Sequence, residues 1–247
     1  MARYQVILAY DGSGFSGSQR QAKSRTVQGE LEKSLRRLGW GGESILLAGR
    51  TDSGVHASGQ VAAFDFEWAH SDQRLLQALN SELPVDLSVR GLHKTSKDFH
   101  PRFDAVSRKY QYRLFFDPCR DPLRERYSWR IWPDFNGRNL SELAGIFLGK
   151  HDFGSFGSSP SAKGSTVRTV TRAGWRRLPG TEWLFEVQAD GFLYRMVRRM
   201  VFIQVAAAQG KCTQAEVEKS LEGRIKLPAG LAPAQGLTLV AVQYGSI

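Results

Sequence analysis

The segment AGRTDSGVHA, residues 48–57, places one carboxylate, Asp52, two residues after Arg50. Glycines and small residues surround the pair and leave little bulk to bury either side chain. One interpretation is a solvated turn that contains a weak surface ion pair. The other is a nucleophilic or acid–base carboxylate that the neighbouring arginine keeps ionised. The residues of this segment alone leave both interpretations open.

Length and composition fit a globular chain with one large domain or two smaller halves. Of the 247 residues, 41% are hydrophobic and 23% are charged. The start, MARYQVILAYDG, lacks a signal-peptide pattern, and no apolar run approaches the roughly 18 residues of a membrane span. We therefore expect a cytoplasmic protein with no membrane partner. Cys119 and Cys212 lack zinc-site spacing, so no metal site is expected.

The charge balance indicates a polyanionic partner. Thirty-four lysines and arginines against 24 acidic residues give a formal net charge of +10. Nucleic acid is the commonest partner of so basic a protein. Aromatic residues lie among the arginines in the segments 107–116, 124–132 and 191–200. Because arginine pairs with phosphate and aromatic rings stack on unpaired bases, this mixture favours RNA.

Hydrophobic periodicity predicts strands and helices in both halves of the chain. The predicted strands are 3–10, 44–48, 60–66, 87–95, 107–116, 166–178, 182–189 and 237–243. The predicted helices are 26–38, 72–83, 138–148, 192–209 and 213–222. A connection rich in proline and arginine (117–133) and a loop rich in glycine and serine (151–165) separate some of them. Helices between paired strands indicate an α+β fold, with an N-terminal half, 1–105, that carries the opening segment, and a C-terminal half, 106–247.

Two short motifs suggest other chemistries, and their surroundings disfavour both. Residues 12–17 match the GxGxxG of dinucleotide-binding proteins, but SQRQAKSR separates them from the next predicted helix, whereas the fingerprint opens a helix directly. We interpret them as a glycine-rich turn that positions Gln19 and Arg20 for RNA. Residues 52–54 match the DSG of aspartic proteases, which need two such aspartates sharing a proton, and the chain contains one DSG.

The string GRTDSGVHA resembles the catalytic signature of the TruA family of tRNA pseudouridine synthases. The resemblance continues, in the family's order and over nearly the whole chain, through YDGSGFSGSQRQ, TVQGELEKSL, DFHPRFDAVSRKYQYR, GFLYRMVRRMV and GLTLVAV. It implies the pseudouridine-synthase fold, with two halves on a mostly antiparallel central sheet and a basic active-site cleft. It also implies isomerisation of uridine in the anticodon stem-loop of tRNA by a homodimer, with no cofactor and no metal.

The resemblance also assigns roles to individual residues. Asp52 matches the catalytic nucleophile, and Arg50 matches the arginine that holds the target nucleotide out of the stack. Tyr110 matches an active-site tyrosine, Arg198 matches the basic residue paired with the aspartate, and Leu237 matches an apolar residue of the pocket. Three other functions remain as alternatives: a catalytically inactive tRNA-binding protein or tRNA chaperone of the same fold, an aspartate-based hydrolase, and a dinucleotide-dependent enzyme.

The spacing of residues alone does not settle the roles of several neighbours of these candidates. Tyr112 lies on the same side of a strand as Tyr110, so the pattern does not separate them. Arg195 is adjacent to Arg198 on the predicted helix and is a further candidate RNA contact. For His56 we favour a structural or RNA-contacting role over that of a general base.

Three positions depart from the family pattern. Ser18 stands where the family often has tryptophan, while Arg199 and Phe202 replace a common asparagine and glycine. None of the three removes a proposed catalytic group. They bear on local RNA contacts, on helix packing and therefore on uridine preference.

Overall fold

The computed structural model describes residues 1–133, 135, 137–159, 164–223 and 225–245. Residues 160–163 of the predicted glycine- and serine-rich loop lie outside the described residues. The chain divides into two compact units. The first unit comprises Met1–Val106 and Thr238–Ile247, and the second comprises Ser107–Leu237.

The described residues form ten strands and five α-helices. The strands are β1 (Ala2–Tyr10), β2 (Leu46–Leu47), β3 (His56–Phe66), β4 (Leu87–Thr95), β5 (Ala105–Phe116), β6 (Trp129–Ile131), β7 (Gly149–Asp152), β8 (Val167–Arg177), β9 (Glu182–Ala189) and β10 (Leu237–Tyr244). The helices are α1 (Val27–Arg37), α2 (Asp72–Glu82), α3 (Gly137–Gly145), α4 (Met196–Ala208) and α5 (Gln214–Leu221). The predicted α+β class is confirmed.

In the first unit the strand order is β4–β1–β3–β10, and β2 pairs with β3. β1 runs antiparallel to both β3 and β4, whereas β10 runs parallel to β3 and aligns Thr238 with His56. Alternate β1 side chains are buried, as a half-covered strand requires. Two leucines from α1 and two from α2 complete this core, and all four are fully buried: Leu31, Leu35, Leu75 and Leu79.

In the second unit the strand order is β5–β9–β8–β7, with antiparallel pairing throughout. β6 adds to β5 in parallel and aligns Leu114 with Trp129. The buried face of α4 carries Met196 and Met200, both 0% exposed.

The structure corrects several element boundaries. The predicted helix 192–209 begins at Met196, because Arg195 has a left-handed φ of 63° and cannot continue a right-handed helix. Arg195 therefore precedes the helix that carries Arg198. β6 and β7 were not predicted; they are three and four residues long, too short for alternation to be detected. β3 begins at His56, inside the opening motif, rather than at residue 60.

Candidate active site

Residues 48–57, the motif loop, connect β2 to β3 in the first unit, and hydrogen bonds hold their backbone. The Thr51 N–H donates to Ser18 Oγ at 2.8 Å, and the Ser18 N–H donates to the Thr51 carbonyl at 3.1 Å. Thr51 Oγ1 lies 2.9 Å from the Tyr10 hydroxyl. Thr51 is only 7% exposed, so the residue before Asp52 is part of a buried hydrogen-bonded framework.

The backbone after Asp52 is also held in place. The Val55 N–H donates to the Asp52 carbonyl at 3.1 Å and closes a tight turn. Val55 is buried, and its carbonyl lies so close to Gly12 that a Cβ on Gly12 would come within 2.1 Å of the oxygen. Between these anchors Asp52 remains half-buried and Arg50 is exposed. The turn therefore holds the backbone of a half-buried aspartate in a fixed position.

Tyr10 contributes a neutral hydroxyl to this framework. Burial raises the pKa of Tyr10 to about 12, although its hydrogen bonds with Thr51 and Gln60 oppose the shift. The phenol therefore stays protonated at neutral pH. The Gln60 side-chain amide donates to the Gly49 carbonyl at 2.9 Å, so the backbone just before Arg50 is fixed as well.

The His56 ring also supports the motif loop. Its Nδ1 accepts the Gly12 N–H at 3.0 Å and lies 3.2 Å from Asp11 Oδ1. The residue is 6% exposed. These contacts support the structural interpretation of His56 over a general-base role.

Arg20 makes close contacts within the first unit. Its Nη1 donates to Glu32 Oε2 at 2.7 Å and to the Glu43 carbonyl at 3.0 Å. The Glu32 side chain is fully buried, whereas that of Arg20 is 48% exposed. Arg20 therefore neutralises a buried carboxylate with one face and leaves the other open to solvent. Gln19 is exposed beside it.

In the second unit, burial separates Tyr110 from Tyr112. Tyr112 is 0% exposed, and its hydroxyl donates to the Pro233 carbonyl at 2.8 Å. Burial raises the pKa of Tyr112 well above its ordinary value. Tyr110 is only partly buried, and its ring meets Phe192 edge to face at 5.1 Å between centroids. Tyr112 is a core residue, so Tyr110 is the tyrosine of this strand that remains available to a ligand.

Arg198 lies on the first turns of α4 and is half-buried. Its Nε donates to the Ala232 carbonyl at 2.8 Å, and the Ala232 N–H donates to the Arg198 carbonyl at 3.3 Å. Arg198 also lowers the pKa of Tyr112, against the effect of burial. Arg195 is exposed, and its guanidinium lies 4.7 Å from the centroid of the Tyr194 ring.

Arg198 and Tyr112 bind consecutive carbonyls, and the chain then leads through a short 3₁₀ turn to Leu237, which is 5% exposed. Two of the residues that depart from the family pattern, Arg199 and Phe202, contact the same segment a little earlier. Arg199 Nη1 donates to the Gly230 carbonyl at 2.9 Å, and the Phe202 ring occupies the space that a Cβ on Gly230 would need.

The sequence did not predict that Tyr10, Ser18 and Gln60 hold the residues before Asp52 by hydrogen bonds. These hydrogen bonds join residues far apart in the chain, so no local sequence pattern predicts them. Among the described residues no group of three or more His, Cys, Asp or Glu side chains is placed to hold a metal ion. Within those same residues, each helix is too short or too polar to cross a membrane.

Comparisons with known proteins agree with the family resemblance seen in the sequence. The tRNA pseudouridine synthase family matches residues 6–104 and 143–245. A relative from Maridesulfovibrio salexigens, named tRNA pseudouridine synthase A, is 40% identical over 251 residues, which cover 99% of this chain and 91% of the relative. A second, from Methylacidiphilum infernorum and of the same name, is 40% identical over 243 residues, covering 98% and 95%.

Among solved structures, the archaeal box H/ACA sRNP Nop10–Cbf5 complex is 12% identical with a TM-score of 0.38. The match covers 82% of this chain and 43% of that one. The family match, by contrast, covers more than half of the chain and includes Arg50, Asp52, Arg198 and Leu237, while Tyr110 falls between its two segments. The resemblance found in the sequence is confirmed, and the chain belongs to the tRNA pseudouridine synthase family.

Proposed function

We propose that this protein isomerises uridine to pseudouridine in tRNA, with Asp52 as the nucleophile. The observation that carries the proposal is the rigid mounting of Asp52. Thr51 and Val55 fix the backbone on either side of it, while Asp52 itself is only half-buried. A group that must reach one atom of a large substrate benefits from such preorganisation, since small misplacements are costly to rate. Family membership supplies the reaction class.

The chemistry requires one bond to be broken and another to be formed within the same nucleotide. The N-glycosidic bond of uridine breaks, the uracil remains bound and turns, and a bond forms between the sugar carbon and C5 of the base. C5 then loses its proton, and N1, released from the sugar, takes one up. Atoms and electrons balance within the nucleotide. Asp52, as an ionised carboxylate, attacks the sugar or the base covalently or assists formation of a glycal.

The target base must leave the stack before any of these routes can begin, because a stacked base shields the reacting atoms. Arg50, exposed beside Asp52, is suited to hold the displaced nucleotide or its phosphate. Tyr110 offers a partly exposed ring for stacking on uracil or a hydroxyl for proton transfer. For the bound nucleotide, Arg198 is the proposed source of positive charge and Leu237 the proposed source of apolar surface.

We infer that the substrate site is the anticodon stem-loop, that the active form is a homodimer and that the protein works in the cytoplasm. These three inferences come from the resemblance to the TruA family.

The candidate contacts to RNA outside the reacting nucleotide are Gln19, Arg20 and Arg195, and all three are exposed at least in part. Family membership disfavours the hydrolase and dinucleotide-dependent alternatives. Sedimentation of the protein with and without tRNA tests the dimer.

Mapping of pseudouridine in treated tRNA tests activity, substrate and target position together. Wild-type protein and the Asp52→Asn variant are incubated with unmodified tRNA, and the modified positions are read chemically. We expect Asp52→Asn to lose isomerisation and to keep tRNA binding, because the amide is isosteric but a poor nucleophile. Glu67→Gln, which neutralises an exposed carboxylate elsewhere in the first unit, is the matched control. Full activity of Asp52→Asn would exclude the proposed nucleophile, and a wild-type protein that binds without modifying tRNA would favour the inactive alternative.

A further inference from the structure

We infer that Ser18 is a positioning residue for Asp52, holding the backbone from which the carboxylate projects. The inference rests on the proposed function, because it takes Asp52 as the reacting group. Ser18 is 0% exposed, so it cannot act by touching the RNA. Its influence has to pass through the residues it contacts.

Ser18 holds Thr51 at two points. Its Oγ accepts the Thr51 N–H at 2.8 Å, and its own N–H donates to the Thr51 carbonyl at 3.1 Å. The peptide unit between Thr51 and Asp52 contains that carbonyl. Since a peptide unit is planar, fixing both polar groups of Thr51 constrains the direction in which the Asp52 backbone leaves it.

Ser18 is itself anchored to the start of α1. The Gln28 N–H donates to the Ser18 carbonyl at 2.9 Å, and the Val27 N–H donates to the Gly17 carbonyl at 3.3 Å. These are N–H groups of the first helical turn, which have no acceptor within their own helix. A long-range connection therefore runs from the N-terminus of α1 through Ser18 to Thr51 and on to Asp52.

Removing the Ser18 hydroxyl would leave a buried donor without its acceptor. Thr51 is 7% exposed, and an unsatisfied buried N–H is destabilising because it has lost water without gaining an acceptor. The loop would relieve this cost by moving Thr51 towards another acceptor or towards water, and Asp52 would move with it. An acceptor is needed at this position, because a side chain that can only donate, such as an indole N–H, could not bond to the Thr51 N–H.

Two substitutions separate hydrogen bonding from packing. Ser18→Ala removes the acceptor, whereas Ser18→Cys fills nearly the same space with a weak acceptor. Ser34→Ala is the matched control: Ser34 is 2% exposed and lies on α1, and its hydroxyl bonds to a distant backbone group, donating to the Glu82 carbonyl. Each protein is measured for thermal unfolding, for tRNA affinity and for the single-turnover rate of pseudouridine formation at saturating enzyme.

We expect both Ser18 variants to lose at least about tenfold in single-turnover rate, with tRNA affinity unchanged. Ser34→Ala should keep the wild-type rate even where its melting temperature falls. A wild-type rate in Ser18→Ala, a rate restored by Ser18→Cys, or an equal loss in Ser34→Ala would each overturn the positioning role. None of these results affects the assignment of Asp52, which only the Asp52→Asn variant can contradict.

Discussion

At the level of single residues, Tyr110 and Tyr112 show how environment divides two chemically identical side chains. Both lie on β5 and on the same side of that strand. Tyr112 is enclosed and donates its hydroxyl to Pro233, which makes it part of the core. Tyr110 keeps partial exposure and an edge-on neighbour, Phe192. We therefore expect removal of the Tyr112 side-chain hydroxyl to affect stability, and changes at Tyr110 to affect catalysis.

Tyr112→Phe should lower stability and leave catalysis by the folded protein intact. The hydroxyl removed makes a buried hydrogen bond, whose loss costs on the order of 1 kcal/mol. Tyr110→Phe should slow pseudouridine formation if the hydroxyl transfers a proton. Tyr110→Ala should slow it if the ring stacks on uracil. Thermal unfolding and single-turnover assays on the three variants check this. A slower rate confined to Tyr112→Phe would reverse the assignment of the two tyrosines.

Tyr10 is expected to make the folded protein less stable at alkaline pH. In the unfolded chain its phenol ionises near pH 10, and in the folded protein near 12. Between these values the unfolded state has released a proton that the native state still holds, so the free energy of unfolding falls as pH rises. Below pH 10 both states are protonated and this contribution is complete.

Urea unfolding measured below pH 10 and at higher pH should therefore show a stability loss approaching about 1.4 kcal/mol per pH unit from this group. Tyr10→Phe keeps the ring and removes the titration, so its pH slope should be shallower than that of the wild type. Equal slopes for the two proteins would show that Tyr10 ionises normally.

At the level of elements, the glycine-rich turn after β1 acts as a structural support for the motif loop. Gly12 allows that turn to approach the Val55 carbonyl, and Gly17, with φ 94°, adopts a conformation that side chains rarely accept. The match to a dinucleotide-binding fingerprint was a coincidence of spacing, as the missing helix start indicated. Close contacts with backbone atoms require glycine at Gly12 and Gly17.

Gly12→Ala should disturb the motif loop directly. The added Cβ would lie 2.1 Å from the Val55 carbonyl oxygen, which is backbone and cannot rotate away. Overpacking of this kind costs about 1–3 kcal/mol, and we expect both the melting temperature and the isomerisation rate to fall. Gly41→Ala, where an added Cβ would meet nothing within 4 Å, is the control. If Gly12→Ala melts and reacts like Gly41→Ala, the close approach is not essential.

The sequence predicted those elements whose signal is local. The spacing of Val27, Leu31 and Leu35 predicted α1 nearly to its ends, and the alternation along β1 did the same. The start of α4 was wrong because Arg195 adopts a left-handed φ, which hydrophobic spacing does not predict. Ser18 and Thr51 are 33 positions apart, so their hydrogen bond has no local signature. The candidate residues came from family resemblance, whereas their support came from the structure.

At the level of the whole molecule, the formal net charge of +10 sets how binding responds to salt. Contacts between cationic side chains and phosphates release counterions, so the logarithm of the affinity should fall linearly with the logarithm of salt concentration. We expect a steep decline in tRNA affinity between low and physiological salt, measured by filter binding with catalytically inactive Asp52→Asn. An affinity independent of salt would contradict recognition through phosphates.

The C-terminal strand has a consequence for how the protein is made. β10 pairs in parallel with β3, beside the start of that strand at His56, and its Val242 and Tyr244 pack on the small cluster around Val61 and Phe99. The ribosome therefore has to synthesise the second unit before the last strand of the first unit emerges. Until then the start of β3, at His56 and Ala57 in the motif loop, lacks its β10 partner. This short open edge is a site where nascent chains are expected to associate unless synthesis is completed quickly or a chaperone covers it.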